Sequence, residues 1–157
     1  MSKLYSRISV VAMLAMAFVI SRPVQSAPPS TGLPHTHAVL VGIDQYYDAA
    51  IKPRHHAEAD VTALYDIVTS KDYLGANPSN VHLLLGKKDA SRPSEVATRE
   101  NILAAVDAVC QQASQDDLII FAFFGQGCPA GKEVGVLGKN AKVADRVKSA
   151  IAAEDLG

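Results

Sequence analysis

Tryptophan is absent from the 157 residues, cysteine occurs only twice, and aromatic side chains make up 6% of the chain. Two cysteines exclude a disulfide-stapled miniprotein and a zinc ribbon of four thiolates. An excess of one charge is lacking too. Fifteen Lys and Arg against sixteen Asp and Glu give a net charge of −1, so the basic footprint of a nucleic-acid binder is missing. No phosphate-binding fingerprint occurs either, because Gly125-Gln126-Gly127 runs on into Cys128-Pro129-Ala130-Gly131 and reads as a loop, not as a helix start. What is present is 48% hydrophobic residues, too many for a disordered chain, over a length that suits one domain.

The uncharged run Ile8 to Ile20 follows Lys3 and Arg7 and is broken by Ser21-Arg22-Pro23. As a helix it rises about 20 Å, short of the roughly 30 Å of a bilayer core. With Val24-Gln25-Ser26-Ala27 behind it, the pattern is that of a secretory signal peptide over residues 1–27, cleaved after Ser26 or Ala27. Its removal takes away Lys3, Arg7 and Arg22 and moves the net charge from −1 to −4. The mature chain is therefore expected to be secreted or periplasmic, with no membrane contact after cleavage. Residues 28–36 have no periodicity and form a linker.

From residue 37 strands alternate with helices. His37 to Ile43 is a continuous apolar run, the mark of a strand covered on both faces. Residues 55–70 place Ala57, Val61, Leu64, Tyr65 and Val68 at helical spacing. Val81 to Leu85 reads as a second strand. A helix capped by Thr98 follows, with Ile102, Leu103, Val106 and Val109 as its apolar stripe. Leu118 to Phe124 is the third strand, and residues 142–153 read as a last helix. This alternation predicts an α/β fold, a three-layer, doubly wound, mostly parallel sheet. In such sheets the site lies beyond the carboxyl ends of the strands. Here that edge carries Asp44 to Arg54, Gly86 onward, and Gly125 to Gly131.

The segments at those strand ends resemble the caspase and metacaspase family of cysteine peptidases. Ala38 to Tyr46 is similar to the family's first strand with its G-I-N-x-Y end. Arg54-His55-His56-Ala57-Glu58-Ala59-Asp60 resembles R-x-G-x-[DE]-x-D, and Thr98 to Ile102 resembles the start of the second helix. Phe124-Gly125-Gln126-Gly127 stands where the family reads S-G-H-G. The resemblance covers residues 37–131 and implies a caspase-haemoglobinase-like sheet, truncated after the third strand, in a partial domain over 37–157. It also implies that a peptide or protein segment is the ligand. Arg54 then matches the arginine that receives an aspartate before the cut bond, although an arginine at a helix start is also an ordinary surface residue. Gly127 matches the glycine whose N–H holds the oxyanion.

The same comparison removes the catalytic dyad. In the family a histidine works with a cysteine at the end of the next strand. Gln126 occupies the histidine's place, and a primary amide cannot shuttle a proton near neutrality. No D-x-C motif follows. Cys128 lies at the right edge of the sheet, but it reads as a small loop residue with no base or cation adjacent in sequence to activate it. A Cys110–Cys128 bridge is not expected in such a fold, because seven strand residues would separate the two positions by about 23 Å. Asp44 and Asp60 match family positions and also suit helix capping. Asp116-Asp117 reads as a turn. His35, His37, His55, His56 and His82 lack a carboxylate or cysteine at ligand spacing, so neither a metal nor a cofactor is expected.

Three readings stay open: an inactive exported peptidase-family domain, the amino-terminal part of an active peptidase, and an unrelated doubly wound binding module. In the first two, strand 118–124 is left as an apolar sheet edge, which invites self-association or completion by further chain.

Overall fold

The computed structural model describes residues 34–130 and 133–156. The signal peptide expected over residues 1–27 and most of the linker expected over 28–36 lie outside the described residues. The first strand, β1, is Thr36–Gly42, and all of it beyond Thr36 is buried. Strand alternation sends Ala38 and Leu40 to one face and Val39 and Val41 to the other, and the two sets enter separate cores. Helix α1, Ala57–Thr69, covers the first set with Val61, Tyr65 and Val68. Helix α2, Arg99–Gln112, covers the second with Ile102, Ala105 and Val109. Thr98 caps α2 as expected, its hydroxyl accepting the Asn101 N–H at 3.3 Å. These two helices on opposite faces make the three-layer doubly wound arrangement.

Strands β2 (Val81–Leu85) and β4 (Leu118–Phe124) flank β1, both parallel to it, and β3 (Glu95–Val96) lies beyond β2. The order is β3-β2-β1-β4. Two residues carry no periodicity, so β3 was not readable from sequence. Gly42 is where α1 presses on β1. A Cβ there would collide with the Val61 Cγ1 methyl and stand 2.7 Å from the Ala57 carbonyl oxygen.

Beyond β4 the structure departs from the sequence reading. The expected loop at 125–131 contains a strand, β5 (Gly127–Ala130), which pairs antiparallel with β6 (Glu133–Leu137). The Leu137 N–H donates to the Gln126 carbonyl at 3.0 Å, which fixes the alternation of bonded and non-bonded pairs. Pro129, opposite Val134, falls in a non-bonded pair, where its missing N–H costs no ladder bond. The helix expected over 142–153 shrinks to one turn, α3 (Arg146–Ser149), with Ala150–Ile151 forming β7 against β6. Val147, Ala150 and Ile151 have helical spacing, yet Val147 stays exposed while Ile151 is sealed in the core beside Leu137. Burial of that side chain outweighs a few tenths of a kcal/mol per residue of helix propensity.

Side-chain clusters tie the loops down. At the amino edge Asp117 accepts the N–H groups of Ser114 and His35, both at 2.7 Å, with the buried His37 Nε2 3.4 Å away. Those two N–H groups, Ser114 first, hold its carboxyl below the usual range. At the carboxyl edge Arg92 forks onto Asp66 of α1 (Nε 3.0 Å, Nη2 2.8 Å) and reaches Asp89 with Nη1 at 2.9 Å.

The N–H and hydroxyl of Ser91, followed by Arg92, hold Asp89 at about 2. Its folded pKa lies below the unfolded value, so its stabilising contribution is complete above about pH 4. That contribution is lost as the pH falls toward 2. In Arg92→Ala the Asp89 midpoint is expected to rise part of the way toward about 3.9, read by carboxyl NMR titration. An unmoved midpoint would mean that Ser91 alone sets it.

Candidate functional site

Because β1 and β4 are adjacent and parallel, with Gly42 opposite Phe124, the segments that follow them emerge side by side. The Ile43 N–H donates to the Phe124 carbonyl at 2.9 Å and carries the pairing past both strand ends. Three residues on, Tyr46 folds back under the β4 exit, and its hydroxyl accepts the Gln126 N–H at 2.7 Å. Gly125 makes this possible. A Cβ there would meet the Tyr46 hydroxyl at 2.9 Å and the Phe123 ring at 2.7 Å. Burial pushes the Tyr46 phenol up, opposed by the Gln126 N–H it accepts and by the nearby Arg54 charge.

Gln126 is held twice. Besides its backbone bond to Tyr46, its side-chain Nε2 donates to the Lys52 carbonyl at 3.0 Å. A cavity of about 160 Å³ lies here, between Ile51, Lys52, Gln126, Gly127, Cys128 and Leu137. Gly127 is in a non-bonded pair with Val136, so its N–H points away from β6. Cys128, expected in a loop, belongs instead to β5 and is 6% exposed, packed in the core cluster that also holds Ile51 and Leu137. Cys110 is exposed in the last turn of α2.

Arg54 lies close enough to Tyr46 for its charge to act on the phenol. Its N–H donates to the Asp44 carbonyl at 2.8 Å, and its side chain is exposed. Asp44 and Glu58 bind each other's backbone: the Asp44 N–H reaches Glu58 Oε1 at 3.3 Å, and the Glu58 N–H reaches Asp44 Oδ1 at 3.2 Å. Asp44 thus caps α1 from outside the helix, while Asp60 is exposed on its first turn. On the far side of the Asp44 loop, Lys139 Nζ donates to the Gln45 carbonyl at 3.0 Å and lies 5.2 Å from the Tyr47 ring centre.

The histidines do not assemble. His35, His37 and His82 sit on or just before the amino-terminal halves of β1 and β2, whereas His55 and His56 lie at the carboxyl edge before α1. Among the described residues no three of His, Cys, Asp and Glu converge on a metal position.

The sequence reading brought Gln126, Gly127, Cys128 and Arg54 to one sheet edge, and the structure places all four there. It missed Tyr46 as a member, although that residue closes the first motif. It also missed Lys139, which arrives from the second sheet and had no local signal.

A doubly wound sheet with its site at the ends of β1 and β4, an arginine after the first strand and a glycine pair after the last defines a caspase-like domain. The metacaspase, peptidase C14 domain matches residues 36–155, and the chain belongs to that family. A search of curated proteins returned no match.

His56 stands where the family pattern places glycine, and it is the only non-glycine residue with positive φ among the described residues, at φ 70° and ψ 3°. The left-handed region costs an L-residue about 1–2 kcal/mol, partly offset by glycine's larger entropy loss on folding. His56→Gly is therefore expected to stabilise the domain by about 0.5–1 kcal/mol, raising Tm by about 2–4 °C. A lower Tm would show that the imidazole supplies more than the strain removes.

Proposed function

We propose that this peptidase-family domain is exported and binds acidic peptide segments without cleaving them. The occupant of the general-base position carries the reading. Gln126 has no proton to exchange near neutral pH, and its amide is already engaged with the Lys52 carbonyl. Cys128 supplies a thiol within the same wall, but nine-tenths covered and packed toward the core, not presented to an arriving carbonyl. Loss of a positioned acid–base group alone removes about 10²–10⁴-fold in rate.

Binding groups survive this loss. Arg54 offers a planar fork for a carboxylate, for which a charge-assisted hydrogen bond contributes about 1.5–3 kcal/mol. The Gly127 N–H, directed away from β6, is a donor for a peptide carbonyl. The leader pattern at residues 1–27 supports export.

The test pairs turnover with binding. A fluorogenic acidic peptide should show calorimetric binding and no cleavage. Arg54→Gln should weaken that binding by about 10–100-fold, and Gln126→His should remain inactive. Cleavage that disappears in Cys128→Ala would return the domain to the active peptidases, and equal binding by Arg54→Gln would remove Arg54 from the pocket.

Export has its own measurement. The intact mass of the protein recovered from the medium or periplasm is expected to begin at Ala27 or Pro28. A chain retained inside the cell with residues 1–27 attached would overturn the leader's role.

A further inference from the structure

The two peptide planes that meet at Gln126 are tied to different sheets. The Gln126 carbonyl accepts the Leu137 N–H at 3.0 Å, from β6 of the small sheet. The Gln126 N–H donates to the Tyr46 hydroxyl at 2.7 Å, on the loop that leaves β1 of the main sheet. One bond holds the plane after the Gln126 Cα and the other the plane before it, so both soft torsions of the residue are set. The peptide between Gln126 and Gly127 is trans, which sends the Gly127 N–H opposite to the Gln126 carbonyl. Gly127 is exposed, and its non-bonded pairing with Val136 leaves that N–H without a ladder partner.

We propose that Tyr46 is the positioning residue of this site: by holding the Gln126 N–H it aims the Gly127 N–H at the carbonyl of a bound peptide. This role rests on the reading that Gly127 donates to the peptide, and adds to it the group that sets the donor's direction. The two ties differ in kind. The Leu137 N–H is main chain and would be supplied by any residue but proline. The Tyr46 oxygen is a side-chain acceptor, and no other atom of that ring can replace it. The ring is 9% exposed and packs in the cluster that also holds Ile51, Cys128 and Leu137, so its oxygen is a fixed point. Gly125 leaves the room, since a Cβ there would stand 2.9 Å from that oxygen.

The Leu137 bond alone does not hold the plane. It is the terminal bond of the β5–β6 ladder on that side, and terminal bonds fray unless the chain beyond them is anchored. A carbonyl oxygen also accepts over a broad range of directions, so one bond lets the plane pivot. Tyr46 supplies the anchor on the other side of the Cα. The Gln126 Nε2 bond to the Lys52 carbonyl holds the side chain, which still turns about its own torsions. A donor aimed before the peptide arrives loses no freedom on binding, and that saving appears as affinity.

The test reads the Gly127 amide by NMR while an acetylated tetrapeptide amide carrying one aspartate is titrated into the protein as its host processes it. In the wild type the Gly127 proton should move downfield on binding. Tyr46→Phe keeps the ring and removes the acceptor. It should weaken the peptide by about 3–10-fold and abolish the Gly127 shift at saturation. Arg54→Gln should weaken binding yet keep that shift once the peptide saturates. If Tyr46→Phe misfolds, Gly125→Ala displaces the same hydroxyl and should give the same loss. A tyrosine that only stabilised the fold would lower Tm and leave the shift in place, and a shift that survives in Tyr46→Phe overturns the proposal alone. Binding by the wild type without a Gly127 shift would remove Gly127 as the donor, and the proposal with it. No binding at all would remove the peptide reading on which both stand.

Discussion

The pairing of β1 with β4, from Thr36 opposite Leu118 to Gly42 opposite Phe124, is the constraint from which the rest of this domain follows. A strand buried on both faces must place all its polar backbone in ladder bonds, because water cannot reach it. β1 does so by pairing with β2 on one side and β4 on the other. That requirement sets the register, and the register decides what emerges at the carboxyl edge. A shift of one residue would exchange the two faces of β4 and remove Gly125 from beneath the Tyr46 hydroxyl.

The site rests on a framework of backbone contacts. Tyr46, Gly125 and the Gln126 N–H form a scaffold that depends on backbone position and not on the identity of side chain 126. The Gln126 side chain adds a second tie of its own, from Nε2 to the Lys52 carbonyl. Arg54 is held through its own N–H to the Asp44 carbonyl, so its backbone position does not depend on the side chain at 126.

The small second sheet plays a supporting part with consequences for the site. β6 receives β5 on one side and β7 on the other, which turns Cys128 and Leu137 toward the core and closes the cavity behind Gln126. The same sheet brings Lys139 over Tyr47 and onto the Gln45 carbonyl. The loop after β1 is thereby clamped from both ends, by Lys139 and by the Asp44–Glu58 exchange.

Local pattern by itself determined three of the four strands of the main sheet and the two helices that cover it. The apolar runs at 37–43, 81–85 and 118–124, the helical stripes of α1 and α2 and the Thr98 cap were all legible, because periodicity and capping act between near neighbours. The strand-end motifs placed Arg54, Gln126, Gly127 and Cys128 on one edge for the same reason. Only tertiary structure decided what followed β4. Gly127-Cys128-Pro129 has the composition of a turn, and Lys142 to Ala153 has the spacing of a helix. The first became a strand because β6 offered a register in which Pro129 needs no donor, and the second gave up a strand because Ile151 had a core to enter. The left-handed His56, the Tyr46 bond to Gln126 and the inward burial of Cys128 were equally beyond reach of the chain read alone. Each depends on a contact between residues far apart in sequence, and such contacts exist only once the sheet has brought them together.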